Sequence, residues 1–309
     1  MHGAVGMSGP LRVLVTVLSA LYLVSMMFAL GLEAGGVPKE TKTQKREKWH
    51  LLARGLGVSL LVLPLLAFGI VRALHTSSVV AAALLLLVAC PGGRFSPQLV
   101  KLGGGDVPLA IELALFVAKF TGFTAVPTAK WMLTLKTLDI RDLTFLAQLV
   151  ALQLVPMTLG KWMRRKHPAV GNRWLRPAHA LAIVTAAVTL VAVLLKADEG
   201  VLPLLESRGW IAVAAVGLVS PLVCRLAAGR RPGVGRTFVI GANARDLALA
   251  LMMASVAFPQ KAIHTALFGI WSIYALASFL VALGMWMLGP RAGGRRPGST
   301  LVRQLLSPG

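Results

Sequence analysis

Nine stretches of this chain run for about 20 residues or more with little charge, the length an α-helix needs to cross the ~30 Å hydrocarbon core of a bilayer. They lie near residues 12–32, 51–74, 78–101, 106–129, 141–163, 176–196, 209–229, 235–258 and 262–288. Backbone polar groups inside hydrocarbon have no water to bond, so each stretch must satisfy them internally, as helix. Composition agrees: of 309 residues 56% are hydrophobic and 14% charged, whereas soluble domains carry about 25% charged residues. The expected fold is an all-α polytopic membrane protein of about nine transmembrane helices. The first window exceeds the ~7–15 apolar residues of a secretory signal and has only Arg12 before it, so it reads as a retained span.

A net charge of +21 would point to nucleic acid in a soluble chain. Here the basic residues alternate between loops, which excludes that partner in favour of orientation in the bilayer. Lys39, Lys42, Lys45, Arg46 and Lys48 follow the first window, and Arg164, Arg165, Lys166, Arg173 and Arg176 follow the fifth. Arg230 and Arg231 follow the seventh, and Arg291, Arg295, Arg296 and Arg303 occupy the tail. The intervening loops are poor in Lys and Arg, with Lys130 and Lys136 after the fourth window running against the pattern. The positive-inside rule then places the N-terminus outside and the C-terminus in the cytoplasm, in a bacterial inner membrane. Cys90 and Cys224 read as small buried hydrophobes rather than a disulfide. No metal, nucleotide or hydrolase motif appears, and no nucleophile, base or metal cluster converges, so the chain does not read as an enzyme. No cofactor is implied, and oligomeric state is not encoded in any feature.

Two windows are interrupted. In "VACPGGRFSPQLVKL" (Val88–Leu102) Pro91, Gly92 and Gly93 break the helix, since proline removes a backbone donor and glycine costs about 1 kcal/mol in helix propensity. Ser96 and Pro97 then suit the start of a half-helix. In "FVIGANARDLALALMMASVAF" Gly241 and Asn243 stand mid-window, followed at once by Arg245 and Asp246. A charge at that depth costs about 2.5–3.5 kcal/mol on insertion scales, so it must be paired or face a polar cavity. Two broken helices, one in each half, are the pattern of inverted-repeat transporters. "LVLPLL" before the first break and "LVSPLV" before the second echo each other. Arg94, Phe95 and Ser96 at one break, with Gly241 and Asn243 at the other, are the expected substrate-binding residues. Arg94 follows freed helix-end N–H groups, where a guanidinium would grip a carboxylate or sulfonate in a fork; the alternative is that it reaches to the cytoplasmic headgroups.

These residues resemble the bile acid:sodium symporter family. "ACPGGRFSPQLVKLGGGDVPLAIELAL" is similar to its Pro-Gly-Gly signature, "GANARDLALALMMASVAF" to its ninth-helix motif, and "SMMFALGLE" to the end of its second helix. The register implies a nine-helix form in which the family's first helix has no counterpart. The resemblance implies a panel and a core, with the broken helices crossing near mid-membrane, sodium beside the crossing and an organic anion in front of it. It also implies where sodium ligands would fall: Ser96 keeps a hydroxyl, but the other positions are Pro97, Ala110, Ala114, Val239 and Asn243. A glutamine ligand would lie near Ser59. Sodium needs several oxygen ligands to replace its water, so this set is degenerate.

The resulting division has a panel helix at 12–32, a first core bundle at 51–135 interrupted near 90–97, and panel helices at 141–196. A second core bundle follows at 209–288, interrupted near 241–246, with a basic cytoplasmic tail at 289–309. Glu112, Lys119, Arg245 and Asp246 are expected to form a charged centre. Glu112 and Lys119 are seven residues and about 10.5 Å of helix apart, too far for a direct pair, so Arg245 is the expected partner of Glu112. Arg245 then stands as a tethered cation where sodium stands in relatives, or as a structural bridge. Asp106 reads as a helix cap, His264 and the tryptophans Trp131, Trp162, Trp271 and Trp286 as interfacial, and Met26, Met27, Met252 and Met253 as packing. The expected function is a secondary transporter moving a small organic anion by alternating access. A sodium-independent facilitator or exporter, a proton-linked transporter and a non-transporting scaffold or sensor are the alternatives.

Overall fold

Each apolar window is occupied by helix. The computed structural model describes residues 9–37, 42–92, 96–133, 141–194, 209–258 and 261–288. Helix α1 spans Gly9–Gly35. Helix α2 (Lys42–Gly57) passes through a π-helical turn at Val58–Val62 into α3 (Leu63–Ala73). The first interrupted window gives α4 (Ser78–Ala89) and the short α5 (Ser96–Leu102), followed by α6 (Val107–Leu133). Then come α7 (Arg141–Lys166), α8 (Pro168–Leu194) and α9 (Gly209–Ala228). The second interrupted window gives α10 (Pro232–Gly241) and α11 (Leu247–Ala257), and α12 (Lys261–Leu288) closes the described chain.

Four of these helical segments are single spans by length and hydropathy: Val17–Gly35, Lys48–Ala73, Gly209–Ala228 and Ala262–Met287. α6 joins them as two segments, Val107–Thr121 and Phe123–Leu133, that meet at a bend. The chain is therefore an all-α integral membrane protein. Leu218, Leu222 and Leu226 on α9, Leu61 in the π-helical turn and Leu65 on α3 point outward, an apolar exterior that suits lipid rather than water. The inward faces of α4, α11 and α12 are largely apolar and build the largest core, with Leu84, Leu87, Leu249, Leu251, Leu267 and Ile270 fully enclosed.

Two helix groupings follow from the packing. α1 lies mainly against α7 and α8, while α4 lies against α12 and α6, and α5 against α6, α10 and α12. The α1–α7 seam is close because each helix presents a glycine to the other's backbone. A Cβ on Gly31 would run into the carbonyl of Met157, and one on Gly160 into the carbonyl of Phe28. Lipid tails supply no hydrophobic drive between helices, so such small-residue seams hold by dispersion at short range. Gly103 and Gly105 do the same for the α5–α6 turn, which closes onto Ile240, Ala282 and Thr237.

Substituting Gly160→Leu should destabilise the purified protein by roughly 1–3 kcal/mol or more through overpacking, whereas Gly69→Ala, with nothing within 4 Å, should be neutral or stabilising. Thermal unfolding in detergent separates the two.

Candidate functional site

The two helix breaks meet each other. α4 ends at Cys90 (φ −108°, ψ 65°), and Gly92 takes φ +106°, a left-handed value that only glycine adopts freely. Opposite it, α10 ends at Gly241 and a short turn leads to Arg245 and Asp246. The Asp246 N–H donates to the Cys90 carbonyl at 2.9 Å, and Pro91 and Arg245 form an antiparallel β-bridge. Each break frees backbone groups in an apolar interior, and an N–H freed at the second meets a carbonyl freed at the first. Side chains complete the joint. Thr121 Oγ1 donates to the Pro91 and Val117 carbonyls (3.3 and 2.7 Å), and Trp271 Nε1 donates to the Arg245 carbonyl at 3.1 Å. Cys90 Sγ lies 3.5 Å from Met253 Sδ.

At this crossing the Arg245 side chain is 3% exposed. Its Nε and Nη2 have no hydrogen-bond partner among the described residues. The Tyr274 hydroxyl is held to the Val213 carbonyl at 2.9 Å. Two helices, α4 and α10, end at the crossing. Each C-terminus carries about half a negative charge from aligned peptide dipoles, so the joint is biased toward one cation without any carboxylate. Asp246 does not pair with Arg245. It caps α11, accepting the Leu249 N–H at 3.2 Å.

The remaining expected residues divide. Arg94 and Phe95 lie outside the described residues. Ser96 opens α5, half-buried, and Pro97 is buried beside it. Gly241 is the last residue of α10, and buried Asn243 donates through Nδ2 to the Gly217 carbonyl at 2.9 Å while its Oδ1 has no partner among the described residues. Ala110 is buried with Val100, Ile240 and Ala282, and Ala114 with Met27, Leu30 and Met157. Pro97, Ala110, Ala114 and half-buried Val239 offer no side-chain oxygen, and Asn243 spends its amide on α9. This arrangement does not fit the sodium site that the family resemblance implies.

The expected Glu112–Arg245 pair is not formed. Glu112 Oε1 instead meets Lys48 Nζ at 2.9 Å, joining α6 to α2. Lys48 belongs to the basic run that follows the first window, and α2 extends far enough to carry it inward. Lys119 is exposed, its ammonium 5.4 Å from the Phe116 ring centroid. Asp106 caps α6 as expected, accepting the Leu109 N–H at 3.0 Å. His264 is not interfacial but 2% exposed, with Nε2 3.4 Å from Ser255 Oγ. Trp271, likewise, serves the crossing and not a headgroup layer.

One polar cluster was not anticipated. Gln98 Nε2 on α5 lies 3.0 Å from Glu33 Oε1 on α1 and 2.9 Å from His179 Nε2 on α8. His179 Nδ1 lies 3.0 Å from the Leu175 carbonyl. The signal was present: Glu33 is the sole acidic residue of α1, and an ionisable group within a span is a functional candidate. Its partners come from residues 65 and 146 positions away, which no local pattern links.

Comparison with known proteins bears on this geometry. Residues 20–202 match the model of the Sodium Bile acid symporter family. The chain is 26% identical over 220 residues to "Sodium/bile acid cotransporter 4" of Rattus norvegicus, covering 64% of this chain and 47% of that protein. It is 27% identical over 234 residues to "Sodium-dependent organic anion transporter" of the same species, covering 71% and 58%. It is 22% identical over 261 residues to "Uncharacterized sodium-dependent transporter YocS" of Bacillus subtilis (strain 168), covering 81% and 78%. The chain spans about half the length of the two rat relatives.

A double-mutant cycle on Lys48 and Glu112 should give a coupling of about 1 kcal/mol, as for a partly buried pair. The same cycle on Glu112 and Arg245 should give none. Thermal or chemical unfolding of the four variants of each cycle measures both.

Proposed function

The chain belongs to the Sodium Bile acid symporter family, and on that premise we propose that it carries a small organic anion across a bacterial inner membrane by alternating access, without a bound sodium ion. Family membership makes it a membrane transporter and not an enzyme. The finer reading concerns what occupies the crossing. Arg245 acts as a fixed cation there, taking the electrostatic place of a coupling ion. One observation carries this: a guanidinium 97% removed from solvent, two of its nitrogens unpaired among the described residues, held by backbone at the meeting of two helix C-termini.

The energetics favour function over scaffolding. An unpaired buried charge is a net cost, and apolar residues of like volume are commonly more stable in its place. A cation kept at such cost is best accounted for by something it attracts. Nε and Nη2 together present the fork that binds a carboxylate or sulfonate through two parallel hydrogen bonds. Asn243, with Oδ1 free of partners among the described residues and its amide fixed to α9, supports the same polar centre. Ala110, Ala114 and Val239 support the absence of sodium coupling, because each stands where the family resemblance calls for an oxygen ligand. On this reading α1, α7 and α8 form the panel and the remaining helices the core, the N-terminus faces outward and the C-terminus the cytoplasm.

The reading is tested by thermal stabilisation of purified protein with bile acids and with smaller carboxylates and sulfonates, in sodium and in choline buffer. Stabilisation should be equal in the two buffers. Arg245→Met should weaken it about tenfold or more, the scale of a lost charge-assisted hydrogen bond, while raising the melting temperature of the anion-free protein. Arg245→Lys, which keeps the charge but not the fork, should weaken binding less than Arg245→Met does. Stabilisation that requires sodium, or an Arg245→Met protein that melts lower and binds as before, would overturn it.

A further inference from the structure

The cluster of Glu33, Gln98 and His179 is short of hydrogens. Its acceptors are the two carboxylate oxygens of Glu33, the Gln98 carbonyl oxygen and one imidazole nitrogen. Its donors are the two hydrogens of the Gln98 amide and one imidazole N–H. The imidazole N–H is directed to the Leu175 carbonyl through Nδ1 (3.0 Å), which leaves Nε2 as an acceptor. The Gln98 amide then donates one hydrogen to Glu33 Oε1 (3.0 Å) and the other to His179 Nε2 (2.9 Å). Glu33 Oε2 and Gln98 Oε1 are left buried with no partner among the described residues. This bonding pattern requires both Glu33 Oε1 and His179 Nε2 to be unprotonated, and it has room for one more proton.

We propose that Glu33, Gln98 and His179 form a proton-binding site, and that proton uptake at Glu33 ties α5 more firmly to α1. If the proton goes to His179 Nε2, that atom becomes a donor aimed at Glu33 Oε1, now 3.6 Å away, and it can no longer accept from Gln98. If it goes to Glu33 Oε2, the new O–H can donate to the Gln98 carbonyl while Oε1 still accepts from the amide, so both orphaned oxygens are met at once. The second route adds a hydrogen bond without removing one, and it ties α5 more firmly to α1. The consequence follows from where α5 stands: it is the half-helix just beyond the first break, and Gln98 lies two residues past the Ser96 that opens it. Because this rests on the transporter reading, in which α5 moves past α1 and α8, the site couples that movement to a proton.

Other charges around the cluster are few and cationic near it. Lys101 on α5 acts on Glu33. On α7, the Arg164 side chain packs against Gly35 and Gly36 at the end of α1, and Lys161 meets Gly31 through its backbone. Arg173 and Arg176 on α8 are exposed. Glu112 on α6 is engaged by Lys48 and Lys119 is exposed. Arg236 on α10 donates to the Gly104 carbonyl. α11 has no ionisable residue, and α12 has none after Tyr274. Within this cluster, therefore, Glu33 and His179 are the two sites at which a proton can be added.

The experiment is hydrogen–deuterium exchange of the full-length protein in detergent, corrected for the intrinsic rate, between about pH 5 and about pH 8, where an imidazole changes charge. Wild-type α5 should gain protection at the acid end by roughly tenfold, the effect of one buried hydrogen bond on local opening. Glu33→Gln, which supplies the missing hydrogen, should show the acid behaviour at both ends. His179→Gln, which leaves Glu33 to titrate, should keep the pH dependence. Gln98→Leu, which titrates nothing, should leave α5 unprotected at every pH. Wild-type protection that is unchanged or lower at the acid end overturns the proposal, as does a pH response that survives in Glu33→Gln. Anion stabilisation measured on the same samples keeps the two ideas apart. If α5 titrates as described but no anion binds, the transporter reading fails and the proton site stands; if anions bind and α5 does not titrate, the reverse holds.

Discussion

Backbone pairing between two broken helices is the interaction on which the rest of this structure depends. A helix that stops inside hydrocarbon leaves carbonyls and N–H groups that cost several kcal/mol each if unmet. Here the Asp246 N–H meets the Cys90 carbonyl and Arg245 bridges Pro91, so each interruption is the solution to the other. Neither α4–α5 nor α10–α11 is stable at that depth alone. Together they bring two helix C-termini, one guanidinium and a capped aspartate to a single point in the interior.

From that joint the electrostatics of the centre follow. Helix C-termini favour positive charge. In this chain Ala110 and Ala114 pack into two separate apolar clusters, and the positive charge is covalent, on Arg245. The carboxylates near the crossing have other duties. Asp106 and Asp246 cap helices, and Glu112 holds α2 through Lys48. Among the described residues, the buried carboxylate with an unmet oxygen is Glu33, at the seam between α1 and α5.

Much of this was readable along the chain because membrane folding is governed by local rules. Apolar length marks spans, and proline with glycine in an apolar run marks a break; both breaks occur where the residues place them, with Gly92 at positive φ and Asp246 as a cap. The pairing of charges was not readable. Arg245 was assigned to Glu112 because both are ionisable and both lie in interrupted or adjoining windows. Helix rotation decides such contacts, and a rotation of one residue, 100°, turns a side chain from one neighbour to another. The same limit hid Trp271, whose indole serves the Arg245 carbonyl, and the Gln98 bridge between Glu33 and His179.

What the sequence determined by itself is therefore the membrane, the helices, the two breaks and the family, because each rests on hydrophobicity and backbone chemistry expressed over a few consecutive residues. What only the tertiary structure decided is which polar groups meet: Glu112 with Lys48, Glu33 with Gln98 and His179, and Arg245 with no carboxylate among the described residues. Those contacts join residues 64, 65 and 146 positions apart, and they depend on the relative rotation and depth of packed helices, quantities that no short stretch of sequence carries.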